Sequence, residues 1–162
     1  MATNPSSASL DTYDRKILDA LQIDGSLGPV ELSNRIALSV SQCSRRLQRL
    51  RERGMIASTV ALLDGKAMNL RISAILLVTL ANHSPENEQN FLDRIQSLSE
   101  VTACHYVTGE LDFILNVVTR DLETYEDLLR RRILPAAEIS SCRSNIILRT
   151  NKNTTALPLT YA

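Results

Sequence analysis

Ser39 to Ile56 reads SVSQCSRRLQRLRERGMI, with five arginines and one acid in a chain whose 18 basic and 18 acidic side chains cancel. Read as a helix, the stretch has two faces. Ser39 caps it and Gln42 stands three residues later, the spacing of a capping box. Val40, Cys43, Leu47 and Leu50 fall 3, 4 and 3 residues apart, one buried stripe. Gly54 stops it. The other face carries Ser41, Gln42, Ser44, Arg45, Arg46, Gln48 and Arg49.

The residues upstream supply a scaffold for that face. Tyr13, Ile17, Leu18 and Leu21 share one side of a first helix capped by Asp11 and stopped at Asp24-Gly25. Pro29 opens a short second helix with Leu32 and Ile36 inward, ending near Leu38. Two short helices, a tight turn and a polar-faced second member make a helix-turn-helix, and its expected partner is double-stranded DNA. The expected DNA-facing set is Ser39, Ser41, Gln42, Ser44, Arg45, Arg46 and Arg49. Ser41, Gln42 and Arg45 are placed for base edges, Gln for adenine and Arg for guanine. Arg46 and Arg49 are placed for phosphates. The alternative is an arginine-rich face that is only solvated surface.

Downstream, Met55 to Leu63 is β-like, a wing or a strand leading onward. The pattern then becomes β-α-β-β-α-β: strands over 71–80, 101–108, 111–119 and 139–148, with helices over 85–98 and from Asp121 to about Leu134. That order is the ferredoxin-like split βαβ. The expected organisation is a disordered 1–9, a winged helix-turn-helix over 10–56, a β-strand linker over 57–70, a sensing and oligomerising domain over 71–150, and a tail over 151–162. The fold class is α+β.

In such a domain both helices cover one sheet face, and strands should alternate. AILLV (Ala74 to Val78) and FIL with VV (Phe113 to Val118) are instead apolar at consecutive positions. The expected cover for the second face is a second copy of the sheet, hence a homodimer.

Composition narrows the classes. A hydrophobic content of 44% supports a packed core, which aliphatic side chains must fill because there is no tryptophan. The basic excess is local: residues 30–56 hold six basic and two acidic groups, a net of +4. That argues for one basic element, not a general polyanion binder. Three widely spaced cysteines fit neither a disulfide framework nor a zinc site and point to a reducing cytoplasm, for a DNA binder the nucleoid. No signal peptide, membrane span, nucleophile–base pair, phosphate loop or metal cluster is visible, so no cofactor, metal, catalytic residue or membrane partner is expected.

The segments LDTYDRKILDALQIDG (Leu10 to Gly25), VELSNRIALSVSQCSRRLQRLRERGMI (Val30 to Ile56) and CHYVTGELDFIL (Cys104 to Leu115) resemble the Lrp/AsnC, or feast/famine, regulators, as does the ending TTALPL (Thr154 to Leu159). The resemblance covers about residues 10–158. It implies a winged helix-turn-helix, a βαββαβ ligand-sensing domain, amino-acid effectors, and dimers assembling to tetramers or octamers. Ala37 stands where the family commonly has glycine, with little effect expected. Val40 and Gln42 stand where it commonly has prolines, so no operator sequence carries over.

YVTGELD (Tyr106 to Asp112) is the second candidate site. Gly109-Glu110 reads as a two-residue hairpin loop. Backbone N–H groups around Thr108 and Gly109 suit a carboxylate, and Asp112 suits an ammonium. The resemblance places this segment, with Tyr106 and Val107, in an effector pocket between subunits or between dimers, and adds Ser140 and Ile147. The competing reading is a good hairpin turn with Asp112 in a cross-strand pair. Two other functions stay open from sequence: a tetrapyrrole-pathway decarboxylase of the same architecture, and a sensing module acting on a partner protein.

Overall fold

The computed structural model describes residues 10–161, and the expectation of a disordered 1–9 lies outside them. The chain forms two compact units. Of the described residues, one takes in those up to Leu62 and again from Lys152, and the other is Leu63–Asn151.

The first unit holds α1 (Thr12–Ile23), α2 (Pro29–Ile36) and α3 (Val40–Glu52). Asp11 caps α1, its carboxylate accepting from Asp14 N at 2.8 Å. Pro29 opens α2 at a position where its missing N–H costs nothing. Ala37 then turns the chain with φ 58°, a left-handed conformation that glycine adopts more cheaply. Leu38 and Ser39 complete the connection to α3. Gly54, at φ 69°, ends α3 in a Schellman motif, with Met55 N donating to Leu50 O at 3.0 Å. Ile17, Leu32, Ile36, Cys43, Leu47 and Leu50 form the core. Val40 does not join it: at the first turn of α3 it is 44% exposed, beyond the reach of α1 and α2.

The second unit holds β1 (Ile72–Leu80), α4 (Pro85–Gln96), β2 (Val101–Tyr106), β3 (Phe113–Thr119), α5 (Leu122–Asp127) and β4 (Ile139–Ile146). The antiparallel sheet runs β2-β3-β1-β4. This is the βαββαβ order expected from sequence. Ala74, Leu76, Val78, Phe113, Leu115 and Val117 meet Phe91 and Ile95 of α4 and Tyr125 of α5. Ile75, Leu77, Ile114 and Val118 take the alternate positions and are half-buried.

Two elements differ from the sequence reading. The expected strand over 57–70 has no regular pairing, and Val60, Leu62 and Leu63 are at least 70% exposed. A β-like composition makes a strand only where a neighbour supplies hydrogen bonds. The helix from Asp121 is α-helical to Asp127 and then widens to a π-helix over Leu128–Ile133. Leu128 and Ile133 are both buried and five residues apart. A turn closed by i→i+5 bonds, such as Leu134 N to Leu129 O at 2.8 Å, brings that spacing to one side.

Candidate nucleic-acid interface and effector loop

The outer face of α3 is built on an ionic anchor. Asp14 is 1% exposed, yet it carries a carboxylate. Arg46 Nη1 donates to its Oδ1 at 2.8 Å and Arg49 Nη2 to its Oδ2 at 2.6 Å. Arg46 Nη1 also reaches Asp11 Oδ2 at 2.6 Å, and the guanidinium lies 5.5 Å from the centre of the Tyr13 ring. The Arg46 hydrogen bond and the Asp14 N–H hold the Asp11 carboxyl below its usual range. The hydrogen bonds to Asp11 and Asp14 push Arg46 up in turn. Two helices that share a carboxylate at such distances keep a fixed mutual rotation, which sets the face α3 turns outward.

This geometry divides the predicted arginines by task. Arg46 leans back on α1, with its side chain 22% exposed. Arg49 spends one nitrogen on Asp14 and keeps 48% exposure. Arg45 is exposed and makes no ion pair among the described residues. A hollow of about 140 Å³ lies between the three. Sequence periodicity does not reveal Asp14 or Asp11 as parts of this interface, because Asp11 reads as a helix cap and Asp14 as an ordinary first-turn acid of α1.

Gln42 is also occupied. Ser39 N donates to its Oε1 at 3.0 Å, the Ser39 hydroxyl does so at 3.0 Å, and Gln42 N donates back to Ser39 Oγ at 3.3 Å. The capping box forms as expected, and that is why a bidentate grip on adenine is not free: it needs the same Oε1. Ser41 Oγ lies 3.1 Å from Ser39 Oγ, and Ser41 and Ser44 are exposed on the outer face.

The predicted effector loop is wider than a two-residue turn. β2 ends at Tyr106 and β3 begins at Phe113, and Val107 N donates to Asp112 O at 2.9 Å to close the loop. Gly109 sits at φ +124°, and a Cβ there would meet nothing within 4 Å, so conformation and not space calls for glycine. Asp112 is drawn to β1. Leu80 N donates to its Oδ2 at 2.7 Å, where the β1–β4 register shifts, and His83 Nδ1 lies 3.6 Å from its Oδ1. Tyr106 is 67% exposed, with its ring 5.2 Å from that of Phe113. Val107 is half-buried, and Thr108 is exposed.

Ser140 comes to the same end of the sheet, its hydroxyl donating to Thr79 O at 3.2 Å. Ile147 does not, since its N–H donates to Ser73 O at 2.8 Å. Ser73 and Leu80 are seven residues apart on one strand, which at ~3.3 Å per residue is ~23 Å. Within one chain, Ile147 and Asp112 line different places.

A wider cleft of about 440 Å³ lies beside the π-helix. Its arginines are paired, Arg132 with Glu100 at 2.7 Å, Arg131 with Asp127 at 3.4 Å and Arg120 with Asp121 at 2.7 Å. Among the described residues, no group of three or more His, Cys, Asp or Glu side chains is placed to hold a metal ion, and no helix is long and apolar enough to cross a membrane.

Residues 10–57 match the winged helix-turn-helix DNA-binding family model, and residues 73–157 match the Lrp/AsnC ligand binding domain. The chain belongs to the Lrp/AsnC family. It is similar to the HTH-type transcriptional regulator Zrp of Zymomonas mobilis, 37% identical over 94% of this chain and 99% of that one. It is 32% identical to the leucine-responsive regulatory protein of Escherichia coli, over 91% of this chain and 90% of that one. Its fold matches a transcriptional regulator of Neisseria meningitidis, solved with L-methionine, at a TM-score of 0.91 and 33% identity, covering 94% and 99% of the two chains. This Lrp/AsnC protein is therefore a DNA-binding transcriptional regulator with a ligand-binding domain, and not an enzyme. The decarboxylase reading from sequence is set aside by these relatives.

Proposed function

We propose that this regulator reads operator DNA with the outer face of α3 and is tuned by an α-amino acid held at the 107–112 loop. The observation that carries the reading is the ionic anchor: Asp14 immobilises Arg46 and Arg49, while Arg45, on the same hollow, makes no ion pair among the described residues. A face set rigidly and left positive is what a duplex backbone selects. Arg45, Ser41 and Ser44 then take base edges. Arg49 takes a phosphate with the donors Asp14 leaves free.

At the second site, the ligand carboxylate takes N–H groups of the Thr108–Gly109 backbone. Its ammonium takes Asp112 Oδ1, the oxygen that Leu80 does not use. Ser140 lies at the same end of the sheet. The methionine bound to the Neisseria protein supports an amino acid as the ligand class.

The working unit we infer is a homodimer that assembles to a tetramer or octamer. Across the sheet's open face, Arg143, Leu77, Ile114 and His105 align strand by strand. An apolar centre with polar edges is the anatomy of an interface. The three free cysteines accord with a cytoplasmic, nucleoid-associated site of action.

The test is a titration of DNA from upstream of its own gene, with and without millimolar L-methionine or L-leucine, on wild type and Asp112→Ala. The reading expects specific binding that an amino acid changes in the wild type and not in the variant. Specific binding that no amino acid moves would remove the effector half.

A further inference from the structure

The motif TTALPL lies in a segment that returns to the DNA-binding unit after β4 is complete. There it is held at two points. The backbone of Leu157 and the side-chain amide of Gln22 bond reciprocally: Leu157 N donates to Gln22 Oε1, and Gln22 Nε2 donates to Leu157 O at 3.2 Å. Two residues on, Leu159 packs against the core of the three helices, in a short 3-10 turn over Leu159–Tyr161. Thr154 tightens the approach, its Oγ1 accepting from Ala156 N at 3.1 Å. A side-chain amide that satisfies both polar groups of one residue is a specific clasp, and Leu159 adds an apolar lock.

The clasp closes on α1, the helix whose first turn carries Asp14. The same helix therefore meets the strap at Gln22 and the recognition helix at Asp14. At the other end the strap is continuous with β4, which is fastened to β1 by Ile147 N donating to Ser73 O and carries Ser140. The only other covalent tie between the units runs through the extended stretch 57–63, which pairs with no strand among the described residues, before the hydrogen-bonded turn over 64–70.

We propose that residues 152–161 are a strap that docks on α1 and couples the sensing sheet to the recognition helix. Docked, it ties α1, and through Asp14 the face of α3, to the chain that leaves β4. Undocked, it leaves the DNA-binding unit on the 57–70 stretch alone. The docked and undocked forms are the two discrete arrangements that coupling between separate sites requires. The strap rests on the regulator reading for its purpose, but not for its existence.

The test compares full-length wild type with Gln22→Ala, Leu159→Ser and the pair, by amide hydrogen exchange and by titration with upstream DNA. The single Gln22→Ala guards against a variant that fails to fold. The strap predicts that Gln22→Ala speeds exchange of the Leu157 amide at least tenfold and raises exchange across 57–70, while α3 stays protected. It predicts weaker specific DNA binding, about tenfold for the pair. Leu157 exchange at the wild-type rate in every variant would overturn the docking. Faster exchange at Leu157 with 57–70 unchanged and DNA affinity at wild type would overturn the coupling. If the wild type binds no DNA specifically, the regulator reading fails, and the exchange arm alone decides the strap.

Discussion

Asp14 accepts a hydrogen bond from Arg46 at 2.8 Å and another from Arg49 at 2.6 Å, so one buried carboxylate of α1 fixes two arginines of the recognition helix. Truncation leaves two cations facing an empty, largely dry pocket. Asp14→Ala should destabilise the DNA-binding unit by ~2–3 kcal/mol, less than the ~3–5 kcal/mol of a fully buried pair because Arg46 and Arg49 both reach water. Thermal unfolding of the full chain checks this. A variant within 0.5 kcal/mol of wild type, on the scale of an ordinary surface change, would show the anchor to be ornamental.

Ala37 holds a left-handed conformation between α2 and α3 with φ 58°. Ala37→Gly removes a conformational penalty in the folded state and adds freedom to the unfolded one, and the first effect is the larger where φ is positive. The expected result is a gain of ~0.5–1 kcal/mol by chemical denaturation, with DNA affinity unchanged. A loss of stability would contradict the assigned backbone geometry.

Acid should loosen the first unit in a defined window. The Arg46 hydrogen bond and the Asp14 N–H lower the Asp11 carboxyl, so the folded state prefers it charged. That contribution is present above the ordinary carboxylate value of about 3.9 and is lost as pH falls through the lowered one. Melting temperature followed from pH 6 to pH 2.5 should drop below about pH 4 and drop less in Asp11→Asn. Parallel curves for the two proteins would count against it.

Gly109 stands at φ +124° with open space around it. Gly109→Ala should therefore cost ~1–2 kcal/mol through backbone strain, not collision. It should also alter amino-acid binding, since the loop must reshape to relieve the strain. Calorimetric titration with L-methionine beside a denaturation curve separates the two effects. A variant with unchanged stability would mean the loop relaxes freely.

Much of this was readable from sequence because it rests on local rules. Ser39-to-Gln42 spacing, Asp11 as a cap, Gly54 as a stop and the order of elements from 71 to 148 follow from periodicity and capping. The misses share a cause, which is a contact with something distant in the chain. Asp112 reads as an ammonium acceptor or one half of a cross-strand pair, and nothing local says that the backbone of Leu80, 32 residues away, donates to it. Arg46 reads as a phosphate contact until Asp11 and Asp14 claim it. Ser140 lies at the start of β4 and Ile147 follows its last residue, so the length of the strand separates them. Val60 to Leu63 is β-like in composition, and composition does not say whether a neighbouring strand is there to pair with.

The direct test of the central claim is the salt dependence of binding to upstream DNA for wild type and Arg45→Ala, with unfolding curves alongside. If α3 reads DNA with the unpaired arginine, Arg45→Ala should weaken specific binding at least tenfold and flatten log affinity against log salt by about one, with stability unchanged. Wild-type affinity and slope in Arg45→Ala, with the protein folded, would contradict the account, and the arginines of SVSQCSRRLQRLRERGMI would be charged surface.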